Sequence, residues 1–291
     1  MKKLLLIPLL MMSLNALAQN VMTPELLWKL GRVTPLGLSI DGKNIVYKVT
    51  YPSVAENKSE SKLYTISVNG GNPTEVKDTK TLLKDKNISP DGKYIVYNEE
   101  VKIDKVHGKD FYPDLQKSDA QIYDGLDYRH WDTWNEGKFN HVFYKENKEG
   151  AVGIDILEGE KFNSPQKPFG GDEDYIWSPD SKSILYVCKK KAGTQYAIST
   201  NTDIYEYQLE SGKTINRTEG NLGYDTAPQF SPAGHLTWLQ MKRDGYEADK
   251  NDIIVDFKGI KMNLTANWDG SVDQFIWSPD GKNVYIDAAV D

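Results

Sequence analysis

The chain has 291 residues, of which 39% are hydrophobic, 11% aromatic and 26% charged, with a formal net charge of −7 at pH 7. This composition supports a packed core and argues against a disordered chain. The acidic balance offers no basic stripe for a polyanion, so nucleic acid and an anionic membrane surface are not expected partners.

The amino terminus has the three parts of a bacterial secretory signal peptide. Lys2-Lys3 is followed by an apolar stretch over residues 4–12 and then by Ala16-Leu17-Ala18. These features predict a signal peptide over residues 1–18, cleavage after Ala18, and a periplasmic or secreted protein. The apolar stretch is shorter than the roughly 20 residues that a membrane helix needs, and so is every later one, so no membrane span is predicted. A retained anchor helix is the alternative.

A short helix is predicted over residues 23–30. Thr23 suits the capping position before the first helical turn, and Pro24 suits the first turn because the N–H that proline lacks has no helical partner there. The apolar face is predicted from the spacing of Leu26, Leu27 and Leu30.

One short phrase, apolar-Ser-Pro-Asp-Gly-Lys, recurs with variations five times along the chain. Its serines are Ser39, Ser89, Ser178, Ser231 and Ser278. Pro-Asp-Gly favours a tight turn, because proline fixes φ and glycine tolerates a positive φ, and alternating strand residues follow the turn. Hairpin corners at a period of roughly 40–50 residues are typical of a β-propeller with one blade per repeat. We therefore predict an all-β fold of four-stranded blades.

The spacing of the phrase divides the chain into blades. Successive serines are 50, 89, 53 and 47 residues apart, so the interval from Ser89 to Ser178 is long. The strand landmark Val142-Phe143 places about 29 of the extra residues before it and about 10 after it, as expected for loop insertions in one repeat. We predict one enlarged blade rather than two. The predicted blades cover residues 33–80, 81–170 with an insertion over 104–138, 171–222, 223–270, and 271–291.

The last predicted blade has only its first two strands. An open propeller leaves a strand edge unpaired and a core uncovered. Residues 19–291 are therefore expected to form a partial propeller, with four blades and part of a fifth, in a fragment of a longer polypeptide.

No cofactor and no metal centre are predicted. The four histidines lack zinc-ligand spacing, and the single cysteine, Cys188, excludes thiolate clusters and an intramolecular disulfide. Asp172-Glu173-Asp174 lacks the glycine and the final glutamate of a calcium loop, and is predicted to be a solvated loop. Lys189-Lys190-Lys191 is predicted to be a solvated strand end or turn. The glycosylation sequons at Asn216 and Asn263 are assigned no function.

The predicted insertion is rich in aromatic and polar side chains, namely Tyr112, Tyr123, Tyr128, Arg129, His130, Trp131, Asp132 and Trp134. Rings and a few converging polar groups in an enlarged loop suit a peptide-binding wall. The candidate substrate-binding residues are Arg129, His130, Trp131, Asp132 and Trp134. In the alternative, the tryptophans seal the base of the insertion and Arg129 pairs with Asp132. No catalytic residue is predicted in this chain.

Several of these segments together resemble the propeller half of serine peptidases of the prolyl oligopeptidase family. They are the signal peptide, the helix with the following Gly31-Arg32-Val33, the Ser-Pro-Asp-Gly-Lys blades and the segment 128–134. Within that family the chain looks most like bacterial dipeptidyl peptidases and acylaminoacyl peptidases. The resemblance implies that a secreted peptidase uses this propeller to admit short peptides to a carboxy-terminal α/β-hydrolase domain.

In that family the hydrolase domain carries a serine on a G-x-S-x-G elbow, followed by aspartate and histidine. The nearest string here, 37–42, misses the second glycine by one position and belongs to a blade corner. The resemblance therefore implies that this chain alone is inactive, that the hydrolase domain is its missing partner, and that the full-length parent could form a homodimer. A non-catalytic, TolB-like periplasmic propeller that binds a protein partner is the alternative.

Glu99-Glu100 is a further candidate, because dipeptidyl peptidases of this family hold the substrate amine with carboxylates. The pair does not align with that motif. An exposed strand end is predicted instead.

Overall fold

The computed structural model describes residues 22–126 and 128–289, which are mostly β with three short α-helices. The predicted signal peptide, residues 1–18, lies outside the described residues. Contacts divide the chain into two units, with the division after Asp85. In the part that the structure describes, no helix is long and apolar enough to cross a membrane.

The first unit is a short helix followed by one four-stranded antiparallel sheet. The Thr23 hydroxyl accepts the Leu26 N–H at 3.1 Å, so the predicted cap is confirmed. The predicted apolar face is wholly exposed, with Leu26, Leu27 and Leu30 each at least 41% accessible. The elements are α1 (Pro24–Lys29), β1 (Arg32–Leu38), β2 (Asn44–Ser53), β3 (Lys58–Ser67) and β4 (Thr74–Val76). The four strands pair in sequence order.

The described residues of the second unit form one sheet of three strands rather than the predicted four, which we call the enlarged sheet because of its long connection, two four-stranded meanders and two two-stranded hairpins. In the enlarged sheet β8 lies between β5 and β9. The later sheets have the strand orders β10-β11-β12-β13, β14-β15-β16-β17 and β18-β19, and β6 pairs with β7. Its elements are β5 (Tyr94–Lys102), α2 (Gly108–Phe111), β6 (Arg129–His130), β7 (Thr133–Trp134), β8 (Lys138–Glu146), β9 (Ile154–Asp155), β10 (Tyr175–Trp177), β11 (Ser183–Cys188), α3 (Thr194–Ile198), β12 (Asp203–Gln208), β13 (Thr214–Asn216), β14 (Asp225–Phe230), β15 (Leu236–Gln240), β16 (Asp252–Phe257), β17 (Ile260–Asn263), β18 (Gln274–Trp277) and β19 (Val284–Asp287).

The Ser-Pro-Asp-Gly phrase forms a self-contained turn, as its sequence predicts. In the second copy the Ser89 hydroxyl donates to Asp91 at 2.7 Å and accepts the Tyr94 N–H at 2.9 Å. The Ser89 hydrogen bond is the main cause that lowers the pKa of Asp91 to about 2. Gly92 has φ +76°, which a glycine adopts at little cost. Ser39, Ser178 and Ser278 donate to Asp41, Asp180 and Asp280 in the same way.

Consecutive sheets of the second unit stack face to face. All six residues of β11 are buried. Ile184 and Tyr186 pack toward the enlarged sheet with Val142 and Trp177, whereas Leu185 and Val187 pack on the other side. On that other side, Leu185 and Val187 form a buried cluster with Ile204, Leu236, Trp238 and Ile254. A strand covered on both faces explains why its sequence is apolar throughout rather than alternating. The described chain thus has the mostly β, meander-based fold that was predicted, while the number of blades and their boundaries stay predictions.

The two sequons form a second repeated set of hydrogen bonds, which was not predicted from the sequence. Thr218 accepts the Ile204 N–H at 3.0 Å and donates to Asp203 at 3.2 Å. Forty-seven residues later, Thr265 accepts the Ile253 N–H at 3.1 Å and donates to Asp252 at 2.8 Å. In both sequons the asparagine side chain accepts the threonine N–H at 2.9 Å. These residues therefore fix the ends of paired strands.

Candidate functional site

In the second unit, the two ends of the sheets carry different kinds of connection. The Ser-Pro-Asp-Gly corners join strands at one end. Because successive strands are antiparallel, the connections 103–137, 156–174, 189–202 and 241–251 leave from the opposite end. We call these four connections the loop face. Loops held by a rigid scaffold are where binding residues concentrate.

An aromatic cluster lies in the first connection of the loop face. The ring centroids of Tyr123, Tyr128 and Trp134 lie 5.8 to 6.2 Å apart. The Arg129 guanidinium carbon lies 5.6 Å from the Trp134 ring centroid, within cation–π range. The Tyr123 hydroxyl donates to the Asn135 carbonyl at 2.7 Å, which ties the cluster to the base of the connection. The cluster therefore holds the Arg129 charge on an aromatic support.

The β6–β7 hairpin presents Trp131 at its tip. Arg129 pairs with Trp134 and His130 with Thr133, which leaves Trp131 and Asp132 as a two-residue turn. Trp131 has φ +49°, a conformation that glycine adopts more readily than a bulky residue. Its side chain is 64% exposed and its ring centroid lies 4.8 Å from that of His130. A large exposed side chain therefore stands at a position whose backbone conformation is unfavourable for a bulky residue.

The loop of residues 163–171, which we call the Phe169 loop, joins this hairpin to the neighbouring connections. The Phe169 ring contacts Trp131 edge-on, with centroids 5.3 Å apart. Lys167 pairs with Glu100 at 2.9 Å, and its carbonyl accepts the Tyr196 hydroxyl at 3.3 Å. The loop therefore has contacts with β5, α3 and the β6–β7 hairpin.

A further set of hydrogen bonds extends the loop face across the next sheet. The Ser199 hydroxyl donates to Asp244 at 2.6 Å, and the Thr200 N–H donates to the same oxygen at 2.9 Å. The Asp244 pKa is lowered, mainly by the Ser199 hydrogen bond. The third connection is thus joined to the fourth, and the loop face is a continuous wall along three sheets.

The structure brings most of the predicted site residues together. Arg129 donates through Nε to the Trp131 carbonyl, and Thr133 donates to Asp132 at 3.5 Å. No ion pair joins Arg129 to Asp132, both of which the structure describes, so the alternative pairing is wrong. A substrate-binding role for Arg129, His130, Trp131, Asp132 and Trp134 stays a prediction.

The predicted solvated loop at Asp172-Glu173-Asp174 is wrong for its last residue. The segment is a turn of 3-10 helix, and Asp174 is only 4% exposed. Its Oδ2 accepts the Gln166 N–H of the Phe169 loop at 2.8 Å. Burial raises the pKa of Asp174 to about 7, and the Gln166 hydrogen bond opposes the rise. Asp174 therefore anchors the Phe169 loop through a buried hydrogen bond.

The lysine run is also more structured than predicted. The side chain of Lys190 is 22% exposed and donates to Glu160 Oε1 at 2.8 Å. Its Nζ lies 4.6 Å from the Tyr205 ring centroid. An ammonium group at this distance from an aromatic ring makes a cation–π contact, which charge counting along the sequence does not reveal.

Glu99 and Glu100 are exposed in β5, as predicted. Glu100 pairs with Lys167 at 2.9 Å and with Lys138 at 3.6 Å. Its pKa is lowered, chiefly by the hydrogen bond from Lys167. A carboxylate that already has two lysine partners is a poor receptor for a substrate amine.

His141 is fully buried and serves the packing of the enlarged sheet. Its Nδ1 lies 2.7 Å from Asp155 Oδ2 and its Nε2 lies 2.9 Å from the Glu160 carbonyl. Both ring nitrogens therefore have oxygen partners, one in β9 and one in the second connection. Within residues 22–126 and 128–289, no three His, Cys, Asp or Glu side chains converge as metal ligands would.

A cavity of about 210 Å³ in the first connection was not foreseen from sequence. Its wall includes Val106, Phe111, Tyr123, Asp124 and Tyr128. These positions come from separate stretches of an irregular loop, and only the tertiary fold brings them together. The cavity adjoins the aromatic cluster through Tyr123 and Tyr128, so the first connection has both an exposed aromatic tip and a recess.

Asp174 gives a pH dependence that can be tested on this chain. Its pKa is 3.8 in the unfolded reference and about 7 in the fold, so its contribution to stability is complete below pH 3.8 and is lost as the pH rises through about 7. Asp174→Asn keeps an oxygen for Gln166 but cannot ionise. We expect the Tm of the variant to decline less between pH 4 and 7 than that of the unaltered chain. Asp114→Asn, at an exposed position, is the control. Parallel Tm profiles for all three proteins would contradict this assignment.

Stacked antiparallel meanders that share one loop face are the arrangement found in the blades of propeller proteins. No family model matches the chain. Dipeptidyl-peptidase 5 of Porphyromonas gingivalis is 36% identical over 91% of this chain and 46% of its own length, and that of Porphyromonas endodontalis is 35% identical over 79% and 40%. Acylaminoacyl peptidase of Pyrococcus horikoshii superposes with a TM-score of 0.59 at 14% identity, over 90% of this chain and 43% of that one, and so shows a shared fold.

These similarities confirm the predicted resemblance. They are consistent with the propeller part of a prolyl oligopeptidase family peptidase. It spans about half the length of the curated relatives that it matches, at 46% and 40%.

Proposed function

We propose that this chain is the substrate-gating propeller of a serine peptidase that hydrolyses short peptides, and that it acts with an α/β-hydrolase domain. The observation that carries the proposal is its 36% identity, over 91% of its length, to a protein named as a dipeptidyl peptidase. The chain lacks the G-x-S-x-G elbow on which this chemistry depends. The activity therefore belongs to the full-length peptidase, by which we mean this chain joined to its hydrolase domain.

The loop face supplies the groups that a peptide-selecting wall requires. Trp131 and Phe169 offer apolar surface, and Arg129 offers a cation whose position is fixed by the Trp134 ring and the Trp131 carbonyl. A guanidinium binds carboxylates and carbonyl oxygens through hydrogen bonds in a plane. We propose that Arg129 contacts the peptide main chain or a terminal carboxylate, while the rings contact side chains.

We further propose a periplasmic or secreted location. The support is the sequence pattern of residues 1–18, which lie outside the described part of the chain. Fractionation of expressing bacterial cells, with sequencing of the mature amino terminus, tests this proposal. Recovery from the cytoplasm with Met1 retained would contradict it.

The proposed division of labour predicts different behaviour for the chain and the full-length peptidase. The chain alone is expected neither to hydrolyse dipeptidyl reporter substrates nor to react with a fluorophosphonate probe, because blade corners cannot place a serine beside a histidine base and an oxyanion hole. The full-length peptidase is expected to do both. Stoichiometric labelling of any serine in the chain alone would refute the division, and a full-length protein without peptidase activity would refute the proposed function.

A further inference from the structure

Trp131 and Phe169 form an exposed aromatic pair, which we call the aromatic notch. Trp131 is 64% exposed and Phe169 is 78% exposed. Their rings meet edge-on at an angle of 61° between planes. They come from different connections of the loop face, 38 positions apart in the sequence. Two large rings that touch each other and still face solvent leave apolar surface available for a third group.

Both sides of the notch are held in place by the fold. The Phe169 loop closes on itself, with Gly170 N–H donating to the Gln166 carbonyl at 2.7 Å, and the buried Asp174 carboxylate accepts the Gln166 N–H at 2.8 Å. At Gly170 an added Cβ would collide with Asp174 and Gln166, so the loop packs tightly on its anchor. Trp131 is fixed by the two-residue turn of the β6–β7 hairpin. A pre-positioned pair loses little side-chain entropy when it binds a ligand.

The two cations beside the notch, Lys167 and Arg129, are engaged with other groups. Lys167, two positions before Phe169, pairs with Glu100 at 2.9 Å. Arg129 lies over the Trp134 ring and donates to the Trp131 carbonyl. Both cations therefore have partners other than the rings of the notch, and the rings present apolar surface. Such a surface favours an apolar group over an anionic one, which would lose its hydration without gaining a partner.

We propose that the aromatic notch is a specificity-determining contact that accepts a large apolar side chain of the peptide substrate. This inference rests on the proposed function. The occupant is a single side chain because the exposed faces of two rings provide contact area for one residue, and Arg129 lies beside them for the main chain. Phe169 is the contact residue, and Asp174 is the positioning residue beneath its loop.

The test compares substrates that differ in one side chain. The full-length peptidase is assayed with dipeptidyl reporters that carry either leucine or glycine at a single position, with each of the two positions varied in turn. Phe169→Ala is expected to lower kcat/KM for the leucine substrate at one position by roughly tenfold to a hundredfold, and to change the glycine value less than about threefold. Phe169→Leu, which keeps an apolar side chain, is expected to restore most of the leucine preference.

Phe257→Ala is the matched control. Phe257 is 44% exposed and lies at the corner end of β16, so its removal deletes an exposed ring away from the loop face. Its leucine-to-glycine ratio should equal that of the unaltered enzyme. Equal losses on both substrates in Phe169→Ala would indicate a domain contact and would overturn the proposal, as would an unchanged ratio. A full-length protein that hydrolyses no reporter would instead overturn the proposed function.

Discussion

Replacement of Arg129 by alanine in the full-length peptidase is expected to lower kcat/KM for dipeptidyl substrates about tenfold to a hundredfold without lowering Tm. A hydrogen bond to a charged group contributes about 1.5–3 kcal/mol, which corresponds to this range. The side chain is exposed and its contacts are a ring face and one carbonyl, so the fold loses little when it is removed. Trp134→Ala should lower kcat/KM in the same direction, because it removes the support of the guanidinium.

The control for Arg129 is Lys109→Ala, which removes a positive charge from an exposed position of the same connection. Its kcat/KM should stay within about twofold of the unaltered enzyme, since exposed charges contribute little at a distance when salt screens them. Activity that falls in Arg129→Ala only in proportion to lost stability would show that the residue is structural.

The largest stability loss is expected for Asp225→Ala. Asp225 is fully buried, and its carboxylate accepts the Trp238 ring N–H and the Gln240 amide, each at 2.7 Å, and the Asn221 amide at 3.0 Å. Burial raises its pKa to about 6, against the hydrogen bonds that favour the charge. Alanine would leave the buried Trp238 N–H without a partner and would remove one acceptor each from the half-buried Gln240 and Asn221, at a cost of about 1–3 kcal/mol for an unpartnered buried group. We expect a total loss of about 3–5 kcal/mol in the free energy of unfolding.

Urea denaturation of the chain measures this loss, with Asp269→Ala as an exposed control that should change the free energy of unfolding by less than about 0.5 kcal/mol. Asp225→Asn should fall between the two, because one amide oxygen can accept part of the network. If Asp225→Ala and Asp269→Ala unfold at the same urea concentration, the buried network does not support the fold in the way its geometry indicates.

What could be predicted from the sequence was decided by local interactions. The corner at Ser89 follows from its own six residues, because the serine, aspartate and glycine satisfy one another within the turn. The cap at Thr23 is equally local. The aromatic character of the first connection was visible from its composition, so Arg129, Trp131 and Trp134 could be nominated without a fold.

What could not be predicted depends on contacts between distant segments. Phe169 was not nominated, because its role arises from a contact with Trp131 across two connections. Asp174 reads as a member of an acidic run, and only the packing of the Phe169 loop shows that it is buried. The sequons illustrate a missed signal: Asn216 and Asn263 are 47 residues apart, the same as Ser231 and Ser278, so the spacing already marked them as part of the repeat.

The size of the connection between β5 and β8 has a consequence for how such a protein can change over time. It has 35 residues, whereas the equivalent connection between β15 and β16 has 11. Loop-closure entropy grows only with the logarithm of length, so the longer excursion costs about 1 kcal/mol more than the shorter one. That is about the value of one hydrogen bond. The pairing of Lys102 with Lys138 at its base is therefore compatible with loops of very different length, and new recognition surface can be acquired there at little expense to the sheet beneath it.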